Sequence, residues 1–283
     1  MTSLFTSHPR TWRDNRYVYP VVSRRSRGLS IGVNLNPDKV CNFDCVYCSV
    51  DRSVAPVVRT VDEAQLAGEL EQLVGLAASG AIWAEPPFAE APAILRRCND
   101  VAFSGDGEPT AYPHFPRMLT LAEAVLRRHS LDAKVVVITN ATLLDRPAVA
   151  EALVALAARP SEVWAKLDAG TEDYYQQVER TKVPLAKVLA NLLSLGRRRP
   201  LVIQALFMCL HGQPPPAAEL DAWLARLAEL HAAGCRIERV QVYTTARDTA
   251  ESFVTPLDRP ALDALGERVR GLGLAAEVFY GPG

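Results

Sequence analysis

Leu29-Ser-Ile-Gly-Val-Asn-Leu35 runs into a short polar loop that carries Cys41-Asn-Phe-Asp-Cys45-Val-Tyr-Cys48. The first stretch is apolar and rich in β-branched or small residues, as a strand buried on both faces is. Residues 101–104, 135–139, 162–168, 201–210 and 237–245 read the same way, with a last candidate strand at 275–280. Between them the apolar period changes from two to three and four. Leu185, Val188, Leu189, Leu192 and Leu195 mark one helix, and Leu220, Leu224, Leu227 and His231 mark another. Similar patterns predict helices over 61–76, 118–128, 148–158 and 261–272. Strand and helix alternate about six times, which predicts an α/β fold: a partial (β/α)6 TIM-like barrel of parallel strands. No linker, repeat or shift in composition divides the chain. The expected organisation is an N-terminal extension at residues 1–28 and one core domain at 29–283.

Composition narrows the class. Of 283 residues, 49% are hydrophobic, enough to bury a core without staples. The 31 Lys and Arg against 32 Asp and Glu leave a formal net charge of −1, so there is no general attraction to nucleic acid or anionic lipid. No apolar run approaches the roughly 18–20 residues that span a bilayer. The polar start at residues 1–16 lacks the apolar core of a secretory signal. A cytoplasmic protein without membrane partners is expected.

The cysteines are unevenly spread. Cys41, Cys45 and Cys48 fall within eight positions, while Cys98, Cys209 and Cys235 lie apart. Three thiolates spaced C-x3-C-x2-C on one tight loop suit three irons of a cubane, leaving the fourth iron without a protein ligand. A structural zinc would want a fourth ligand that the other cysteines do not offer. Simple packing of the three as small hydrophobes is the bland alternative. In a parallel α/β fold, ligands gather at the carboxyl ends of the strands. There the loop meets three further segments, Ser104-Gly-Asp-Gly-Glu-Pro-Thr110, Thr139-Asn140 and Lys166-Leu-Asp168. Each alone is an ordinary turn or helix cap.

Together these four segments resemble the radical S-adenosylmethionine superfamily, over nearly the whole chain beyond residue 28. Within it the chain is most similar to compact iron–sulfur oxidoreductases related to the wyosine-forming tRNA enzymes. The resemblance implies one 4Fe–4S cluster on Cys41, Cys45 and Cys48, with S-adenosylmethionine chelated at the open iron and cleaved reductively to a 5′-deoxyadenosyl radical. It places Tyr47 near the adenine, and Glu108 on the methionine ammonium with Gly105 and Gly107 allowing close approach. Asn140 and Asp168 would meet the ribose or carboxylate, and Gln204 the adenine or substrate. Lys166 departs from the small polar residue expected there and is the candidate catalytic side chain, as proton donor, imine former or ion-pair partner. An external electron donor such as flavodoxin or ferredoxin is implied.

The substrate is less legible. Arg180, Lys182 and Arg247 follow strands and are candidates to hold a small anionic molecule or peptide. Arg24, Arg25 and Arg27, and likewise Arg197, Arg198 and Arg199, precede strands and so belong to the opposite end; nucleic acid is not favoured. The rival functions are tRNA base modification and a non-catalytic iron–sulfur redox sensor.

Overall fold

Residues 10 and 12–281 are described by a computed structural model, so residues 1–9 and 11 of the expected N-terminal extension lie outside the described residues. The chain divides into two compact units, each drawn from three segments. The first takes the described part of Met1–Cys41 with Val54–Ile138 and Ala155–Glu162; the second takes Asn42–Ser53, Thr139–Val154 and the described part of Val163–Gly283. The two units are interleaved in sequence. No linker marks them, because the chain crosses between them repeatedly.

In the first unit, β1 (Val18–Ser23) pairs antiparallel with β2 (Gly28–Val33), and β3 (Cys98–Phe103) and β4 (Lys134–Thr139) follow in parallel. β1 lies inside the stretch read as an extension, in register from Val18 opposite Val33 to Ser23 opposite Gly28. The reason is Glu69, on α1 (Glu63–Ala78). Its buried carboxylate accepts the backbone N–H groups of Arg16, Tyr17 and Val18 at 2.8–3.0 Å. α1 itself starts where Asp62 accepts from Ala64 N and Gln65 N, and it buries Leu66, Leu70, Leu73 and Val74. α2 (Phe115–Arg128) packs Phe115 edge-on against Phe103 of β3.

In the second unit, β5 (Ser161–Lys166), β6 (Leu201–Leu206), β8 (Ile237–Tyr243) and β10 (Ala276–Phe279) are parallel neighbours in that order. The predicted strand 201–210 breaks at Phe207. Its end is β7 (Met208–Leu210), which leaves the sheet to pair antiparallel with β9 (Val254–Pro256). The helices are α3 (Pro147–Leu156), α4 (Glu172–Glu179), α5 (Leu185–Arg198), α6 (Ala217–Ala232) and α7 (Arg259–Gly271). α4 lies outside the predicted helices. Thr171 caps it by accepting from Tyr174 N, and Glu172 and Asp173 supply the acidic first turn.

The turn after β5 sits tightly on α6. Trp223 donates its indole N–H to Leu167 O at 2.9 Å, and Glu219 accepts from Gly170 N at 2.5 Å and from the Thr171 hydroxyl. A methyl group on Gly170 would stand 2.0 Å from Trp223 N and 2.4 Å from Ala222 C. Backbone cannot yield there as a side-chain tip would. Gly170→Ala is expected to lower stability by about 1–3 kcal/mol, read as a reduced thermal midpoint. No helix among the described residues is long and apolar enough to cross a membrane.

Candidate functional site

In the first unit, the loop after β3 is held by Asn34, just past β2. Asn34 Oδ1 accepts from Asp106 N at 3.1 Å and from Asn36 N at 3.0 Å, while its Nδ2 donates to Asp106 Oδ2 at 2.7 Å. Arg10 forms an ion pair with the same Asp106. Gly105 and Gly107 are where close approach is needed. A Cβ on the first would lie 2.2 Å from Asn34 Oδ1, and on the second 2.2 Å from Val40 O. Glu108 is buried, and its Oε1 accepts from Thr110 N at 3.2 Å and Thr110 Oγ1 at 2.5 Å. Cys41 is half-buried. Sequence reasoning missed Asn34 and Arg10. A polar residue at the end of an apolar strand was the available signal for Asn34, and nothing marked Arg10.

In the second unit, Cys45 and Cys48 share a turn, closed by Cys48 N donating to Cys45 O at 3.0 Å. The turn is tied to the end of α4 through Asp44 N to Glu179 O (3.0 Å) and Val46 N to Val178 O (2.9 Å), and Ala250 N reaches Cys48 O at 2.7 Å. Arg52 donates to Cys48 Sγ at 3.3 Å. Asn140 serves this loop. Its Nδ2 donates to Asn42 Oδ1 at 2.7 Å, Asn42 Nδ2 donates to Thr142 Oγ1 at 2.7 Å, and Thr142 returns its N–H to Asn140 Oδ1 at 3.1 Å. Both Asn140 side-chain atoms are thus engaged in the ties that position Asn42, next to Cys41 in the chain.

Below the turn lies a buried group of ionisable side chains that only partly matches expectation. Tyr47 Oη donates to Asp168 Oδ2 at 2.5 Å and lies 2.9 Å from Glu179 Oε1. Asp168 Oδ1 accepts from Leu206 N at 2.7 Å, and its Oδ2 is 3.0 Å from Lys166 Nζ. Lys166 Nζ also stands 4.5 Å from the centre of the Tyr47 ring and 3.3 Å from the Tyr243 hydroxyl. Cys45 Sγ donates to Glu179 Oε2 at 2.6 Å. Glu179, absent from the expected residues, is 1% exposed and joins the cysteine turn to Asp168.

Charge in this group is divided by environment. Burial, then the neighbouring Asp168, pushes Glu179 far above the usual carboxylate range. Burial would raise Asp168 too, but Lys166 and the hydrogen bonds from Glu179 and Tyr47 outweigh it and hold Asp168 down, ionised. Burial would lower Lys166, yet Asp168, Tyr243 and Glu179 lift it above its ordinary value. Lys166 is paired with Asp168, one of the three roles expected for it.

Gln204 lies in register between Lys166 of β5 and Gln241 of β8, donating to Gln241 Oε1 at 2.8 Å. Its own Oε1 is buried without a partner among the described residues, as is the Tyr175 hydroxyl. Of the three cations expected to meet substrate, Arg180 ends α4 and is matched by Glu251 and, at 3.9 Å, by Asp44; Lys182 is exposed and Arg247 half-buried. The basic run near residue 198 is also engaged. Arg197 donates to Ala233 O, Arg198 to Glu151, and Arg199 is buried against Leu153 O.

Among the described residues, no three His, Cys, Asp or Glu side chains are already drawn together as a metal site. The donor chemistry nevertheless fits an iron–sulfur group. Cys41, Cys45 and Cys48 are half-buried and share one restrained loop, while Cys98 and Cys235 are buried and lie apart. Burial pushes the Cys45 thiol well above its ordinary value, as it pushes Cys98 to about 12 and Cys235 to about 11, so the shared loop rather than thiol acidity sets the three apart as ligands.

The comparisons with known proteins agree. A family model described as the Radical SAM superfamily matches residues 35–224. A UPF0026 protein of Helicobacter pylori is 26% identical over 239 residues, 84% of this chain and 68% of the relative. A UPF0026 protein of Methanocaldococcus jannaschii is 25% identical, and the match covers 62% of this chain but only 48% of that protein's length. Among solved structures, a radical SAM methyltransferase from Sphaerobacter thermophilus aligns over 97% of this chain and 72% of its own, with a TM-score of 0.64 at 15% identity. The structure of TYW1 with a lysine-pyruvate adduct bound aligns over 87% of this chain and 74% of its own, with a TM-score of 0.55 at 17% identity. These likenesses show the α/β fold with parallel strands that the alternation of elements predicts. With the cysteine loop inside the 190-residue span of the family match, the chain belongs to the radical SAM superfamily.

Proposed function

We propose that the chain holds one 4Fe–4S cluster on Cys41, Cys45 and Cys48 and uses it to cleave S-adenosylmethionine, with hydrogen abstraction from a small molecule or peptide. The reading is carried by the C-x3-C-x2-C loop lying within a family match that runs from residue 35 to residue 224. When bound, the two cofactors supply the one-electron cleavage and the 5′-deoxyadenosyl radical; the protein binds, orients and shields them.

Each residue then has a physical task. Glu108 offers a carboxylate to the methionine ammonium, and Gly105 and Gly107 keep that approach open. Tyr47 is held by Asp168 and Glu179, so its ring is fixed beside the cysteine turn. Lys166 keeps Asp168 ionised, and Asp168 in turn holds the Tyr47 hydroxyl and the Leu206 N–H in place. Gln204 contributes an acceptor to the adenine or to substrate. An anionic group on the substrate would be held in part by Arg180, Lys182 or Arg247, Arg180 also being paired with Glu251. A protein such as flavodoxin or ferredoxin would deliver the electron. One structural neighbour, SuiB, is bound to a precursor peptide, which supports keeping peptides among the substrates.

Anaerobic loading with iron and sulfide is expected to give about four irons per chain. Changing Cys98, Cys209 and Cys235 together to alanine should leave that content unchanged in the folded protein. Loss of iron from the folded triple variant would refute the three-cysteine assignment. Transfer RNA is expected not to bind at micromolar concentration in near-physiological salt, since Arg197–Arg199 are engaged in fold contacts. Tight, salt-sensitive binding in a filter assay, with a modified nucleoside missing from a deletion strain, would point to base modification instead.

A further inference from the structure

Tyr175 is 3% exposed, and among the described residues its hydroxyl has no hydrogen-bond partner. Buried donors are almost always paired, because an unpaired one forfeits its bond to water. The location suggests what the partner is. Tyr175 and Glu179 are four residues apart on α4, hence on the same face. Glu179 Oε2 accepts from Cys45 Sγ, one turn away from Tyr175. Between them Val178 O accepts from Val46 N at 2.9 Å, and the Tyr175 ring packs edge-on against Phe43 with centroids 5.8 Å apart. One face of α4 thus lies along residues 43–46. The ionisable neighbours on this face and around it are acidic or neutral: Glu172, Glu179, Asp168 and the Cys45 thiol. Together with burial they keep the phenol protonated, so it can only act as a donor or weak acceptor.

We propose that Tyr175 donates a hydrogen bond to a sulfur of the iron–sulfur group held by Cys45, and so raises the reduction potential of that group. The inference rests on the cluster reading above. Reduction adds negative charge that is shared by the sulfurs, so a fixed O–H dipole there stabilises the reduced state more than the oxidised one. Arg52 already donates to Cys48 Sγ, so Tyr175 would add a second donor to the sulfurs of this turn.

The test is Tyr175→Phe, which removes only the oxygen. The apoprotein should melt at the same temperature as wild type or higher, because the lost hydroxyl had no partner. After anaerobic loading, the iron content should match wild type. In an EPR-monitored redox titration, the ratio of reduced to oxidised cluster at the wild-type midpoint should fall several-fold; tenfold corresponds to about 59 mV for a one-electron couple. Resonance Raman iron–sulfur bands should also lose part of their shift between H2O and D2O. An unchanged titration and unchanged D2O shifts would overturn the proposal. So would a lower apoprotein melting temperature with an unchanged potential, since the hydroxyl would then serve the fold. Should the Phe variant fail to fold, 3-fluorotyrosine at position 175 offers a stronger donor and must raise the potential; no change there also overturns it. If wild-type protein takes up no cluster, the reading of the cysteine loop fails first, and that result is visible in the iron content alone.

Discussion

Lys166→Met is expected to destabilise the fold by about 3–5 kcal/mol, the cost of leaving a buried carboxylate without its partner. The Lys166 side chain is 16% exposed and Asp168 is fully shielded, so water cannot replace the lost ammonium. Met retains most of the volume, which confines the effect to charge. Lys166→Met combined with Asp168→Asn should recover a substantial part of the loss, because the pair is then removed together. Denaturant unfolding of the four proteins measures this. A Lys166→Met protein of wild-type stability would mean that the Lys–Asp pair carries no net weight and would favour a role for Lys166 as a free amine.

Glu108→Gln is expected to weaken S-adenosylmethionine binding by about 1–3 kcal/mol, or roughly 5- to 150-fold. The amide can still accept from the Thr110 hydroxyl, which Glu108 Oε1 does at 2.5 Å, so the turn at Pro109–Ala111 should survive. What disappears is the negative charge opposite the methionine ammonium. Equilibrium dialysis with labelled cofactor, alongside an unchanged melting temperature, separates the two effects. Equal affinity in both proteins would remove Glu108 from the cofactor site.

The strands were legible because each is a short apolar run bounded by turn residues, and six of the seven predicted runs reappear within a few residues of their expected limits. The run at 201–210 breaks at Phe207, whose N–H bonds to Tyr243 O while the chain beyond turns away as β7. No local pattern signals that departure, since Met208, Cys209 and Leu210 are as apolar as the strand before them. β1 escaped notice because its anchor is Glu69, some fifty residues away. α4 was hidden by its length of eight residues, although Thr171 followed by Glu172 and Asp173 was a readable helix start.

The same division holds for the candidate site. Cys41, Cys45, Cys48 and Glu108 stand in motifs and could be named from spacing. Glu179, Tyr175 and Asn34 belong to no motif and act through contacts made across the fold: Cys45 with Glu179, Phe43 with Tyr175, Asp106 with Asn34. Asn140 was visible, but its task was not. A polar residue after a strand looks the same whether it meets a ligand or, as here, ties down Asn42.

The central claim is that the cysteine loop supports reductive cleavage of S-adenosylmethionine. The most direct measurement is anaerobic incubation of the loaded, dithionite-reduced protein with the cofactor, followed by chromatography for 5′-deoxyadenosine and EPR of the cluster. The account predicts 5′-deoxyadenosine and methionine in equal amounts, with an EPR signal that shifts when the cofactor is added. A loaded cluster whose spectrum ignores the cofactor, and that forms no deoxyadenosine, would contradict it and leave a redox sensor as the better reading.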